Sequence, residues 1–154
     1  MQRTLIAFLA AGLALAAATV AQEPHVSESV LERQARMRAI DNALTTLERM
    51  TSGAVPLDAQ RAARVAAEIA TQTGGLADTF TDTPASRFGP LTRARQEVWQ
   101  NPGDFLVRMS HLEEGAFSLI GVARAGDPAV LAGAVSDLRA ACNACHSVYL
   151  APPP

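Results

Sequence analysis

The sequence contains no lysine and few aromatic residues. All 13 basic residues of the 154-residue chain are arginines, and Phe, Trp and Tyr make up 5%. The arginines alternate with 15 acidic residues, giving a formal charge of −2 and no basic patch of the kind that binds nucleic acid. So few aromatics and only nine prolines argue against a many-stranded β fold and against a disordered chain. We therefore expect one ordered domain with no nucleic-acid partner.

Long hydrophobic runs are also absent after residues 1–21. That first segment has the order of an export signal, with a positive charge at Arg3 followed by an apolar stretch over residues 5–18. The stretch is shorter than the roughly 20 apolar residues of a membrane span. We predict that a signal peptide is removed after Ala21. Residues 22–154 then form a single soluble domain in the periplasm, with no membrane contact after cleavage.

Apolar residues recur at intervals of three, four or seven in four stretches of the mature chain, a spacing typical of amphipathic helices. These stretches are residues 26–50, 58–73, 101–125 and 127–151. No segment alternates with the period of two expected of a strand. Because short turns join the first two and the last two helices, we predict an all-α fold, an antiparallel four-helix bundle.

A long connection over residues 74–101 separates the second and third helices. Asp82-Thr83-Pro84 and Gly89-Pro90 are turn signals within it, and residues 91–99 are predicted to form a short helix. A connection of this length usually crosses over a bundle or covers a ligand.

The chain has two cysteines, both in the sequence Cys142-Asn-Ala-Cys145-His146 near its C-terminal end. Their spacing of three places both thiols on the inward stripe of the last helix. Two thiols one turn apart can add across the two vinyl groups of a porphyrin, and the adjacent imidazole can reach the iron. The motif therefore predicts one haem c, held covalently by Cys142 and Cys145 near the end of the last helix, with His146 as its proximal ligand.

Three other uses of these residues are open. A thioredoxin-like dithiol requires a strand before the motif, whereas this motif ends a helix. A structural zinc requires four ligands, and only His25 and His111 remain to complete a set. A plain disulfide would leave His146 without a role. The alternative from a different class is therefore an exported dithiol or metal-binding protein without haem.

With these features the chain resembles the class II c-type cytochromes, the cytochrome c prime family. The resemblance covers nearly all of the mature chain. Its marks are Arg33-Gln-Ala-Arg-Met37, Val98-Trp-Gln-Asn-Pro102 followed by Phe105, Gly126-Asp127, and the cysteine motif followed by Tyr149. It implies a non-enzymatic, monohaem electron carrier whose partners are redox proteins. The alternative within the same fold is a protein that binds nitric oxide or carbon monoxide, and a homodimer through the first two helices is also implied.

The resemblance places Met37 on the distal side of the haem. Its sulfur either ligates the iron, as in a low-spin electron carrier, or only packs above an open site that binds gases. From spacing alone Met37 belongs to an apolar seam with Ile40 and Leu44, where methionine is common core filler. We expect ligation.

Arg33 lies on the same seam, four residues before Met37. An inward arginine is costly unless it meets an anion, and the haem propionates are carboxylates that suit its two-pronged guanidinium. The alternative is that Arg33 extends along the surface to water. The resemblance places both Arg33 and Gln34 at the haem.

One position departs from the family. Its members commonly carry Arg or Lys directly after the aromatic residue that follows the haem histidine, whereas here Leu150 follows Tyr149. The departure puts in doubt any behaviour that depends on a proximal cation, including nitric oxide chemistry, and favours electron transfer as the function.

Overall fold

The computed structural model describes residues 26–153, and within them it forms six α-helices. They are α1 (Glu28–Thr51), α2 (Ala59–Thr73), α3 (Pro84–Phe88), α4 (Glu97–Gln100), α5 (Pro102–Ala125) and α6 (Pro128–Tyr149). The four long helices match the four predicted ones, and the all-α four-helix bundle is confirmed. No helix in this described part is long and apolar enough to cross a membrane. The proposed export signal lies outside the described residues.

The helix ends follow from local side-chain chemistry. The Asp58 carboxylate accepts a hydrogen bond from the backbone N–H of Arg61 (3.0 Å) at the start of α2. At the start of α6, Asp127 accepts bonds from the N–H groups of Ala129 and Val130. Gly126 ends α5 in the left-handed conformation (φ 72°) that glycine adopts without steric cost. These contacts fix the two tight turns of the bundle.

The bundle core runs between neighbouring helices in the order α1, α2, α5, α6 and back to α1. One end, which we call the closed end, is filled by aliphatic side chains from all four helices. Its members include Leu47, Ala62, Ala123 and Leu131, each 0% exposed. The other end, which we call the cavity end, contains Met37, Met109, Cys142, Cys145 and His146.

The connection between α2 and α5 differs from the prediction. Of the predicted helix over residues 91–99, only the part within α4 is helical, so the prediction was wrong for residues 91–96. Residues 92–95, which we call the strap, instead pair with the chain after α6. Arg95 N–H donates to the Tyr149 carbonyl (2.9 Å), and Ala151 N–H donates to the Arg93 carbonyl (2.8 Å). This pairing between distant segments overrides the local helical pattern.

The turn signal at Asp82-Thr83-Pro84 opens α3. Thr83 is its N-cap, with a side-chain oxygen that accepts a bond from Ser86 N–H (3.2 Å), and Pro84 is its first residue. Bonds from Arg33 to Ser86 and Thr92 hold α3 and the strap against the N-terminal half of α1.

Candidate haem site

Two adjoining cavities lie at the cavity end, with volumes of about 290 and 400 Å³. The first is lined by residues that include Asp41, Leu112 and Cys142. The second is lined by residues that include Arg33, Phe105 and Leu150. Both are lined by Met37, Met109, Cys145 and His146, so the two cavities adjoin at these four side chains.

Both cysteines are half-buried free thiols on the cavity side of α6. Cys142 lines the first cavity only, whereas Cys145 lines both. Burial raises the pKa of each thiol above its ordinary value, so both are neutral at pH 7. The α-helical spacing of three therefore presents two thiols, one turn apart, to the same site.

His146 also lines both cavities, one residue after Cys145. Partial desolvation lowers the pKa of its imidazole, and the positive charge of Arg93 lowers it further. The imidazole is therefore neutral at pH 7, which is the form that donates a lone pair to a metal.

Met37 lies on α1 and is half-buried, unlike its seam neighbours Ile40 and Leu44, which are buried. It shares both cavities with His146 of α6, so a thioether and an imidazole are presented to the site from different helices. Sequence reasoning missed Met109 of α5, which lines both cavities as well. Met109 lies on an apolar stripe of α5, and no sequence signal distinguishes it there from an ordinary core residue.

Arg33 is 4% exposed, so its side chain does not extend along the surface to water. Its Nη1 donates to the Thr79 carbonyl (3.4 Å) and the Ser86 hydroxyl (2.9 Å). Its Nη2 donates to the Ser86 carbonyl (2.9 Å) and the Thr92 hydroxyl (2.5 Å). Arg33 lines the second cavity, and burial lowers its pKa. Its described partners are all uncharged, and they tie α1 to α3 and the strap.

Gln34, the other predicted contact on α1, also lines the second cavity. Its side-chain amide donates to the Leu91 carbonyl (2.6 Å), just before the strap. The structure therefore brings both predicted residues to the site and gives each a bond to the connection.

Two further arginines, Arg38 and Arg93, line the second cavity and were not predicted as site residues. Arg93 supplies a cation beside His146 and Leu150, although position 150 itself carries none. Its guanidinium donates from Nε (3.1 Å) and Nη2 (2.7 Å) to the Ala151 carbonyl. No local sequence signal marks Arg93, because its position depends on the pairing of the strap with the chain after α6.

The charges of the two cavities differ. In the first, the Asp41 carboxylate pairs with Arg139 (2.6 Å), and Arg139 also pairs with Glu48 (2.8 Å). Arg108, which lines the same cavity, pairs with Asp104 (2.7 Å). The second cavity has three arginines in its lining and, among the described residues, no carboxylate. Both arginines of the first cavity are ion-paired, whereas the second cavity is positive.

The zinc alternative finds no support in residues 26–153, where no three His, Cys, Asp or Glu side chains are grouped to hold a metal ion. His111 is exposed and lines neither cavity. Its predicted partner, His25, lies outside the described residues.

Comparison with known proteins gives relatives over most of the chain. The family described as Cytochrome C' matches residues 28–150. Cytochrome c-554 of Cereibacter sphaeroides is 30% identical over 132 residues, which are 84% of this chain and 86% of that protein. Cytochrome c' of Alcaligenes xylosoxydans xylosoxydans is 27% identical over 125 residues, 79% of this chain and 92% of that protein.

Solved structures share the fold. Cytochrome c prime from Shewanella frigidimarina matches with a TM-score of 0.76 at 25% identity, covering 85% of this chain and 98% of that one. A variant of cytochrome c prime from Alcaligenes xylosoxidans with bound NO matches with a TM-score of 0.73 at 24% identity, covering 82% and 95%. A carbon monoxide-bound variant from the same source gives the same score and identity over 81% and 95%. By sequence family and by fold, the chain belongs to the cytochrome c' family.

Proposed function

We propose that this protein is a periplasmic monohaem cytochrome that carries electrons through a covalently bound haem c. Cys142 and Cys145 form the thioether bonds, His146 is the proximal iron ligand, and Met37 is the distal ligand. One observation supports this assignment: the Met37 thioether of α1 lines the same two cavities as the Cys145 thiol and the His146 imidazole of α6.

The residues at the site fit a haem by their chemistry. Aliphatic, aromatic and methionine side chains line the cavities and suit the porphyrin faces, and the two neutral thiols match the two vinyl groups. The neutral imidazole matches the iron. Arg33 and Gln34 line the part of the site that would hold the haem propionates. Arg33 contributes a buried positive charge there and also holds the strap through its bond to Thr92. When bound, haem supplies one-electron exchange between its ferric and ferrous states.

Ligation by Met37 suits electron transfer because a thioether ligand raises the reduction potential relative to a second nitrogen ligand. With haem bound, Met37 and His146 would hold the iron from α1 and α6 respectively. The chain's task would then be to hold the Met37 and His146 side chains in place and to limit water access, and the packing of α1 against α6 serves both needs.

Acid–acetone extraction combined with intact mass measurement tests covalent attachment. We expect the haem to stay with the protein and the mass to equal the processed chain plus one haem. Haem that partitions into acetone would contradict covalent attachment, and a protein that contains no haem at all would favour the dithiol alternative. The same mass reports whether processing occurs after Ala21, and fractionation of expressing cells reports periplasmic location.

A second candidate function is binding of nitric oxide or carbon monoxide at an open distal position. It is favoured by the incomplete burial of Met37, and by the NO-bound and carbon monoxide-bound structures of variants of one relative, cytochrome c prime from Alcaligenes xylosoxidans. If Met37 only packs above the iron, small gases reach the distal position and are slowed by this side chain.

Carbon monoxide binding to Met37→Ala separates the two functions. If Met37 ligates the iron in the parent protein, the variant gains carbon monoxide binding that the parent lacks. If the distal position is already open, the variant only binds carbon monoxide faster than the parent does. Met109→Ala is the matched control, since Met109 lines the same two cavities from α5. Sedimentation of the purified protein tests the homodimer through α1 and α2 that the resemblance implies.

A further inference from the structure

The second cavity is lined by three positive side chains, and no carboxylate among the described residues lines it. Arg33, Arg38 and Arg93 line it, and none of them takes part in an ion pair within the part of the chain that the structure describes. The nearby Asp104 accepts bonds from Arg108 and from the Tyr149 hydroxyl, so its charge is already engaged. A cavity of this composition attracts carboxylates.

The three arginines differ in the donors that they can offer. All four N–H groups on Nη1 and Nη2 of Arg33 are matched by described acceptors on Thr79, Ser86 and Thr92. Arg38 and Arg93 are exposed at the cavity. Arg93 uses Nε and one N–H of Nη2 on the Ala151 carbonyl, which leaves Nη1 unengaged. Arg33 therefore contributes charge, while Arg38 and Arg93 contribute both charge and donors.

We propose that Arg38 and Arg93 bind the two haem propionates, so that the carboxylate edge of the haem lies in the second cavity. The inference rests on the proposed function, because it requires a haem in this site. In this arrangement the propionates contact Arg38 and Arg93, which were not predicted as site residues. Arg33, which was, holds the strap instead.

The position of Cys142 supports the same orientation. Vinyl and propionate groups occupy opposite edges of the porphyrin, so thiol anchors and carboxylate ligands must lie on opposite sides of the site. Cys142 lines the first cavity only, Cys145 lines both, and Arg38 and Arg93 line the second only. The first cavity, whose arginines are ion-paired, thus receives the vinyl edge of the haem, and the positive cavity receives the anionic edge.

The strap prepares Arg93 for this contact. Backbone bonds to Tyr149 and Ala151 fix the strap, and the bond to the Ala151 carbonyl fixes the guanidinium itself. Because this side chain is already ordered, it loses less conformational freedom when it binds a carboxylate. Arg93 therefore links the haem edge to the residues that follow the iron-binding histidine.

Resonance Raman spectra of the holoprotein test the assignment, since the propionate bending band responds to hydrogen bonding at the carboxylates. We expect this band to shift in Arg38→Ala and in Arg93→Ala, and to shift furthest in the double variant. We also expect the reduction potential to fall in each, because loss of a nearby positive charge favours ferric haem. Arg95→Ala is the matched control: it removes an exposed arginine of the same strap that lines neither cavity.

An unshifted propionate band in the double variant, or an equal shift in Arg95→Ala, would overturn the inference while leaving the haem assignment intact. Absence of haem from the parent protein would instead overturn the proposed function. Should Arg93→Ala fail to accumulate as a holoprotein, Arg93→Gln keeps a donor for the Ala151 carbonyl without the charge. The band is expected to shift in this variant as well, and an unshifted band would count against Arg93.

Discussion

The closed end and the cavity end of the bundle are built from the same four helices but from different side chains. At the closed end, Leu47 and Leu131 are 0% exposed and are surrounded by other aliphatic residues. At the cavity end, Met37, Cys142 and Cys145 are only half-buried. The helical stripe is continuous through both ends, so hydrophobic periodicity alone does not distinguish them.

The difference shows how one amphipathic pattern can serve two purposes. The closed end stabilises the fold by burying aliphatic surface, at about 25 cal/mol per Å². The cavity end gives up part of that stabilisation to present thiols, thioethers and an imidazole to a ligand. Stability and function should therefore respond to substitutions in separate parts of the bundle.

The largest effect is expected from replacing both cysteines at the cavity end by alanine. Without thioether bonds the haem is lost from the proposed site, and the helices around it lose contacts. We expect a protein with no extractable or covalent haem, reduced helix content and a lower, broader melting transition by circular dichroism.

The matched control is Ser147→Ala, an exposed position that follows the motif on the same helix. It should keep both the haem and the melting temperature. A double cysteine variant with undiminished helicity and normal melting would show that the haem is not part of the core.

At the closed end, Leu131→Ala should reduce the free energy of unfolding by about 2–5 kcal/mol because it leaves a cavity among fully buried residues. Denaturant titration measures this loss, and the absorption spectrum of the remaining folded protein should not change. The neighbouring Val130→Ala, at a position 56% exposed, should cost less than about 0.5 kcal/mol. A change in the absorption spectrum of Leu131→Ala would contradict the claim that the closed end determines stability without affecting the haem site.

An intermediate effect is expected for Arg33→Ala, which removes a buried cation with four hydrogen bonds to the connection. Loss of bonds to a charged group costs about 2–3 kcal/mol. Amide hydrogen exchange should become faster in the strap, and the reduction potential should fall because positive charge near the haem is lost. Gln34→Ala, which removes one described bond, should cost about 1 kcal/mol. Equal effects of the two variants would contradict the anchoring role of Arg33.

The smallest effect concerns pH. Bonds from Arg108 and Tyr149 hold the pKa of Asp104 below its ordinary value of 3.8. A carboxyl whose pKa is depressed in the folded state contributes stability above its unfolded-state pKa and loses it as the pH falls through the folded-state value. Asp104→Asn should therefore flatten the acid end of the stability profile below about pH 4. Glu114→Gln, at an exposed position of the same helix, is the matched control for the loss of a carboxylate.

Much of this molecule could be predicted from local sequence signals. The predicted helical stretches that begin at residues 58 and 127 and end at residue 125 match the structure, where Asp58, Asp127 and Gly126 set these ends through contacts with adjacent residues. The spacing of Cys142 and Cys145 placed both thiols on the inward stripe, and both line the site. These features depend only on residues close together in the sequence.

The parts that were missed depend on distant segments. The strap is extended because it pairs with the chain after α6. The helix predicted over residues 91–99 was therefore wrong for residues 91–96. Arg93 reaches the second cavity only through that pairing. The partners of Arg33 lie 46 to 59 residues away, so its burial was predictable but its acceptors were not.

The absorption spectrum of the purified ferric protein at neutral pH, followed by reduction and addition of carbon monoxide, tests the central claim most directly. If Met37 and His146 both ligate a covalently attached haem, the ferric spectrum is low-spin with a weak near-infrared band from the sulfur–iron bond. The reduced protein then binds carbon monoxide poorly. A high-spin ferric spectrum with ready carbon monoxide binding would contradict the account and assign the cavity end to gas binding.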